Sequence, residues 1–234
     1  MLIPTDRWNN DIDIDSALVE NNLVNLREQI AHCNVKIIGV TKYFGVKGIE
    51  AGYKAGLREF AESRAQDAIK KFEQLSQEIK QDSVFHFIGH LQTNKVDKVV
   101  KYFDVIQSVD SLKLAQAISK TACSLNKREK ILLQLNNAGE SQKSGYSKDE
   151  LKKDLKEILN LEGVNVIGLM NMAPLGAKDA ELHDLFCDVR EFRNELEREF
   201  GAKLPELSMG MSDDYKIAVM EGATMIRIGR KLFT

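Results

Sequence analysis

Lys42 follows the apolar run VKIIGV (35–40) after a single threonine. A lysine at a strand end can be desolvated, lose its proton and form a Schiff base with a carbonyl; the plainer reading is an exposed lysine. Two segments near the other end of the chain offer anion chemistry. LSMGMSDDY (207–215) reads as a strand, two small residues and a helix that Ser212 caps, and TMIRIGRK (224–231) as a strand that ends at Gly229. Backbone N–H groups and glycines at such turns bind phosphate, with Arg230 and Lys231 adding positive charge and Asp213 and Asp214 opposing it. Read plainly, they are a capped helix and a glycine turn. Arg227 shares a strand face with Gly229 by alternation. A charge inside so apolar a strand needs a partner, either a ligand atom or an acid such as Glu62.

These residues need a scaffold that brings positions 42 and 207–231 together. VKIIGV has the composition of a strand buried on both faces. Seven further candidates follow: 57–62, 84–89, 104–109, 130–136, 164–172, 204–210 and 224–229. Helical stripes separate them. Ala65, Ile69, Phe72, Leu75 and Ile79 form one; Leu182, Leu185, Val189, Phe192, Leu196 and Phe200 form another; Ser111 opens a third through Ala115, Ile118, Ala122 and Leu125. Ser147 to Glu150 is a capping box ahead of Leu151, Leu155 and Ile158. An amphipathic helix, Val19, Leu23, Leu26 and Ile30 behind Asp15 and Ser16, precedes them all. Eight strands interleaved with helices in 234 residues predict a single-domain (β/α)8 TIM-type barrel with an extra N-terminal helix, a doubly wound open sheet being the fallback. In the closed barrel the first and eighth strands are neighbours, so Lys42 and the phosphate cup face one another at the mouth. One ligand suits both: pyridoxal 5′-phosphate carries an aldehyde and a phosphate arm on one ring, and Arg227 is placed to meet its pyridine nitrogen.

With those segments in view, the chain resembles the pyridoxal phosphate homeostasis proteins, a family similar to the barrel domain of alanine racemase. GVTK, EFAESRAQD, FHFIGHLQTNK, QSVDS, KSGY, GLMNMAP and LSMGMSDDYKIAVMEGATMIRIGRKLF carry the resemblance, from about Val35 to Phe233. It implies an internal aldimine on Lys42, a phosphate surrounded by Ser212, Gly229 and Arg230, and Arg227 at the ring nitrogen. Met172 is implied near the ring, with Ser208, His90 and Met211 as further lining residues. Where the family usually has Gly-Glu-Asn-Arg this chain has Ala61-Glu62-Ser63-Arg64, so the contact at Ser63 falls to a hydroxyl that donates and accepts. The role implied is vitamin B6 and amino-acid homeostasis as a carrier or regulator without robust turnover.

Arg227 argues in the same direction, because an arginine donates to a pyridine nitrogen but does not readily protonate it, which leaves the ring a poor electron sink. Racemisation also needs a second acid/base group, which alanine racemases take from a separate C-terminal β domain; the sequence ends at Thr234, so that domain is not expected. The rival readings are a pyridoxal-phosphate-dependent racemase or lyase, with Tyr43, Tyr146 or His90 as second proton donor, and an aldolase-like barrel in which Lys42 attacks a sugar phosphate without a cofactor. His86 and His90 flank a strand end with no third ligand pattern, so no metal is expected. Lys95, Lys98 and Lys101 read as a solvated face beside Val96, Val99 and Val100. Lys143-Ser144-Gly145 is a flexible turn by itself. Cys33, Cys123 and Cys187 are an odd, scattered set expected to pack in helical stripes.

Lys+Arg 33 against Asp+Glu 35 gives a net charge of −2, which points neither to nucleic acid nor to an acidic membrane surface. No apolar stretch approaches the roughly 20 residues of a membrane span, and MLIPTDRWNNDIDID lacks the form of a secretory signal. A cytoplasmic monomer is expected, with client enzymes or regulatory proteins as partners that no residue identifies.

Overall fold

The computed structural model describes residues 14–137 and 144–234; residues 1–13 of the N-terminal stretch read above and Lys143 of the KSGY segment lie outside them. β1 (Lys36–Val40), β2 (Glu59–Glu62), β3 (Val84–Phe87), β4 (Val105–Val109), β5 (Glu129–Leu135), β6 (Val164–Asn171), β7 (Glu206–Ser208) and β8 (Met225–Ile228) pair in parallel and close into a barrel in chain order. The seam is the β1·β8 pair, where Ile38 lies opposite Arg227 and Gly39 opposite Ile228. Seven of the eight strands fall within their sequence-predicted segments, and β5 begins one residue before its own, at Glu129. The barrel with helices between its strands is therefore as expected, and the open sheet is excluded.

Helices cover the outer wall: α1 (Ser16–Gln29), α2 (Val46–Lys54), α3 (Ala65–Gln74), α4 (Gln77–Asp82), α5 (Val96–Tyr102), α6 (Leu112–Ser124), α7 (Lys148–Leu159), α8 (Asp179–Phe200), α9 (Tyr215–Met220) and α10 (Arg230–Phe233). Alternation along each strand sends one set of side chains outward into the main core, such as Phe60, Phe85, Phe87 and Ile226, which packs against helix residues such as Phe72, Ile118 and Phe186. The other set fills the barrel. Its apolar part is two small clusters, Ile38 with Val40, Ala61 and Met225, and Val105 with Leu132 and Met170.

The caps act as the sequence suggested at three helices. Asp15 accepts from the Ala17 N–H, Ser111 from Leu114, and Ser147 and Glu150 form the reciprocal capping box of α7. Elsewhere the structure corrects the stripes. The Ala65–Ile79 stripe is two helices, because the chain leaves helical geometry at Leu75 and Ser76 caps a new start; Ala68 rather than Ile69 meets the core. In α8 Leu182, Val189, Phe192 and Leu196 are buried as the stripe predicted and Phe186 joins them, while Leu185 and Phe200 are half-buried. Leu125 lies beyond the end of α6 and is exposed. Cys33 and Cys123 are also exposed rather than packed. Ser212 does not cap α9: Asp214 holds that position and turns its carboxylate back to the Met211 N–H. No helix among the described residues is long and apolar enough to cross a membrane.

Candidate functional site

At the C-terminal ends of the strands, where parallel barrels carry their chemistry, a cavity of about 260 Å³ opens. Lys42 enters it from the turn after β1. Among the described residues its one polar contact is the face of Tyr43, 5.1 Å from Nζ to the ring centroid. The preceding residue is fixed. Thr41 Oγ1 donates to Glu62 Oε1 at 2.6 Å, and Lys71 Nζ donates both to Glu62 Oε1 at 2.7 Å and to the Thr41 carbonyl at 2.9 Å. Glu62 and Lys71 are almost wholly buried. Burial drives them towards their neutral forms, the carboxyl upward and the ammonium downward, while their mutual attraction opposes the shift. This cluster anchors the root of Lys42, whose amine has no hydrogen bond or ion pair among the described residues.

Across the mouth, β7 ends in a turn that needs Gly210. Its φ of +92° lies in the left-handed region, and a Cβ there would come within 2.6 Å of Ala218 Cβ. The turn delivers Met211 and Ser212 to the cavity, and the Gly210 carbonyl accepts from the Arg227 N–H at 3.0 Å, tying it to β8. The Ser212 hydroxyl accepts from the Lys231 N–H at 3.4 Å. Gly229 and Arg230 complete this side, with Arg230 Nη2 donating to Asp213 Oδ2 at 2.6 Å on the exposed rim.

Arg227 forms part of the cavity wall and is 3% exposed. Nη1 donates to the Ser208 carbonyl at 2.8 Å and to Ser208 Oγ at 2.7 Å, and Nη2 donates to the Asn171 carbonyl at 2.7 Å. It makes no ion pair among the described residues, and Glu62, the acid that sequence reasoning offered it, is engaged by Lys71. Burial lowers the guanidinium to about 10, with Asp214 pulling the other way, so it remains charged at neutral pH. Three of its five N–H groups are used in these bonds, which leaves two without a partner among the described residues on a side chain that lines the cavity.

Eight of the ten sequence-predicted site residues line this cavity: Ser63, Met172 and Met211 join Lys42, Ser212, Arg227, Gly229 and Arg230. Ser63 is held close to β3 by Gly89, where a Cβ would collide with the Ser63 carbonyl at 1.9 Å. Ser208 and His90 are not lining residues. Ser208 is wholly buried beneath Arg227, and His90 is largely exposed near Ser144 and Asp110. Of the candidate proton donors Tyr43 borders the cavity, whereas Tyr146 is buried elsewhere with its hydroxyl donating to Asp154, its pKa pushed upward by burial. Sequence reasoning missed the apolar wall: Val40, Phe44, Ile88, Met170 and the exposed Leu175. Their signal was adjacency to strand ends, which apolar residues share with the ordinary core. A second cavity, about 340 Å³, opens at the opposite end of the barrel beside Arg27, Gly56 and Glu59. No group of three or more metal-ligating side chains occurs among the described residues.

Residues 14–234 match the family described as alanine racemase, N-terminal domain. The pyridoxal phosphate homeostasis protein of Synechocystis sp. is 42% identical over 200 residues, covering 86% of this chain and 91% of that protein. The chain belongs to the pyridoxal phosphate homeostasis protein family. Another member of the pyridoxal phosphate homeostasis family, from Schizosaccharomyces pombe, is 30% identical over 203 residues and covers 86% of this chain. PipY of Synechococcus elongatus PCC7942, solved with PLP bound, matches at a TM-score of 0.86 with 39% identity over 92% of this chain and all of that one. An alanine racemase of Clostridium difficile 630 shares the fold, at a TM-score of 0.75 and 19% identity, over 94% of this chain and 57% of its own length.

Proposed function

We propose that this chain binds pyridoxal 5′-phosphate, held covalently through the Lys42 amine, and serves vitamin B6 and amino-acid homeostasis by holding the cofactor without robust turnover. The observation that carries the reading is Arg227, a buried guanidinium with two N–H groups unpartnered among the described residues, lining a cavity that also receives a lysine amine without a hydrogen bond or ion pair among them. The donor set fits the cofactor group by group. Lys42 supplies the amine for an aldehyde, Ser212 and Arg230 beside Gly229 supply donors for a phosphate, and Arg227 supplies a donor for a ring nitrogen. Met172 and Met170 supply a polarizable wall for a flat ring. Gly229 contributes no side chain, and a Cβ there would meet Val40 at 3.5–3.6 Å, an ordinary contact, so the protein's own packing leaves the choice of glycine to the cavity.

When bound, the cofactor supplies an electrophilic aldehyde and a ring whose power to accept electrons depends on protonation of its nitrogen. Arg227 keeps its own proton at neutral pH and offers a hydrogen bond in place of proton transfer, which disfavours carbanion chemistry. Binding and orientation are then the work of these residues. Exposed, unpaired thiols at Cys33 and Cys123 suit a reducing cytoplasm, where we place the protein as a monomer whose clients or regulatory partners would meet the mouth of the barrel.

The test is the visible absorbance of purified wild type and Lys42→Ala, followed by borohydride reduction and peptide mass mapping. A yellow wild type with the adduct on Lys42, and a Lys42→Ala protein without it, is the expected result. An adduct elsewhere removes the role of Lys42. A colourless wild type that takes up no added pyridoxal phosphate overturns the reading and favours an aldolase-like barrel. Tyr43 at the cavity wall favours a second reading, a pyridoxal-phosphate-dependent racemase or lyase with Tyr43 as the second proton donor. That reading requires α-hydrogen exchange of amino acids in deuterium oxide faster than with free cofactor, and slower in Tyr43→Phe.

A further inference from the structure

Side chains that fill a parallel barrel are ordinarily branched and apolar. Here five strands place polar groups on the inner face instead, and they form one connected column. Arg227 Nη1 donates to Ser208 Oγ at 2.7 Å, and Ser208 Oγ donates to Gln107 Oε1 at 2.6 Å. The other end of the same amide, Gln107 Nε2, lies 2.9 Å from His86 Nδ1, and His86 Nε2 lies 2.6 Å from Glu59 Oε2. His86, Gln107 and Ser208 are at most 2% exposed, while Glu59 reaches the cavity at the base of the barrel.

The order of donors follows from the chemistry. A guanidinium only donates, so the Ser208 oxygen accepts from it and gives its one hydrogen to the Gln107 carbonyl. The amide nitrogen then faces His86 and donates, which leaves Nδ1 as the acceptor and the ring proton on Nε2, directed at the Glu59 carboxylate. No link reverses unless its neighbours do. Burying such groups costs stability unless every one is satisfied, and the adjacent apolar clusters show that the barrel can be filled without them. The column ends at the guanidinium that borders the mouth cavity.

We propose that Ser208, Gln107 and His86 are positioning residues that fix the plane of the Arg227 guanidinium and so set its contact with the ring nitrogen of the bound ligand. The proposal rests on the reading of Arg227 given above. With Ser208 and the Asn171 carbonyl holding both terminal nitrogens, the plane in which the unused N–H groups lie is set. Removing a link further down the column frees the serine hydroxyl to rotate, and the guanidinium keeps its two carbonyl bonds but loses the third, side-chain restraint on its plane.

The experiment is a double-mutant cycle on the full chain. Gln107→Leu is made alone and with Arg227→Met, and each protein is titrated with pyridoxal 5′-phosphate and with its 1-deaza analogue, in which carbon replaces the ring nitrogen. Affinity and the position of the visible band are read, with thermal melting as a check on folding. Gln107→Leu is expected to weaken pyridoxal phosphate by about 5- to 30-fold, the size of one lost buried hydrogen bond, and to move the band. It should cost little for the deaza analogue, and little more once Arg227 is gone. Equal weakening of both ligands, or losses that add across the cycle, would overturn the proposal and reduce the column to packing. Should Gln107→Leu fail to fold, Ser208→Ala removes a single hydroxyl and takes its place with the same expectations. Arg227→Met with unchanged affinity and spectrum for both ligands sinks the reading of Arg227 itself, an outcome distinct from additive losses.

Discussion

One acidic and one basic group pair at the rim of the cavity. Arg230 is engaged by the Asp213 carboxylate at 2.6 Å, both exposed, so an incoming phosphate must share or displace that partner. Asp213→Asn should tighten pyridoxal 5′-phosphate by about two- to fivefold, the scale of an exposed ion pair, and leave pyridoxal, which lacks the phosphate, unchanged; paired fluorescence titrations read the difference. Tyr146 is the opposite case, a residue with catalytic chemistry in the wrong place. Its phenol donates to Asp154 and borders no part of the site. Tyr146→Phe should leave the spectrum of the bound cofactor unaltered while lowering stability by about 1 kcal/mol in urea unfolding. Residue type alone did not separate Tyr43 from Tyr146, since both follow strand segments.

At the level of elements, the Glu62–Lys71 pair joins β2 to α3 and, through Thr41, to the turn that presents Lys42. A charge left alone in such a place is far more costly than the pair is stabilising. Glu62→Gln should therefore destabilise the fold by about 3–5 kcal/mol in equilibrium unfolding, and replacing both partners, Glu62→Leu with Lys71→Met, should recover much of that loss. Sequence periodicity gave no sign of the pair. Lys71 stands next to Phe72 in a helix otherwise charged on its outer side, and nothing in spacing says that one lysine turns inward. Ser76 was equally silent, although its N-cap divides what periodicity joined into one stripe.

For the whole molecule, stability should carry a pH dependence written at the base of the barrel. Glu129, at the start of β5, is wholly buried; the Lys127 ammonium lies 2.7 Å away, yet neither carboxylate oxygen has a well-aligned hydrogen bond among the described residues. Lys127 donates instead to the carbonyls of Val100 and Phe103. Burial raises the carboxyl from an ordinary value of 4.5 to about 7 against the pull of Lys127. The folded state thus keeps a proton that the unfolded chain releases between pH 4.5 and 7, so this group costs stability increasingly across that window and fully above it. Glu129→Gln should raise the melting temperature by a few degrees at pH 8 and by less at pH 5, as followed by circular dichroism.

Eight strand candidates, clearest at apolar β-branched runs such as VKIIGV, separated by amphipathic stripes determined the barrel, because the strand and helix periods differ and a closed parallel sheet is the arrangement that buries every strand. Lys42 and the segments around Ser212, Gly229 and Arg230 were legible for a related reason: functional residues of a barrel follow its strands, and closure makes the first and last strands neighbours. The tertiary structure decided what faces what. It set His90 outside the cavity and Ser208 beneath it, and turned Arg227 towards Ser208 and Asn171 rather than Glu62. It also joined Glu59, His86, Gln107 and Ser208 into one column. Hydrogen bonds between strands distant in sequence depend on barrel radius, stagger and side-chain direction, which exist once the sheet has closed and leave no periodic trace in the chain.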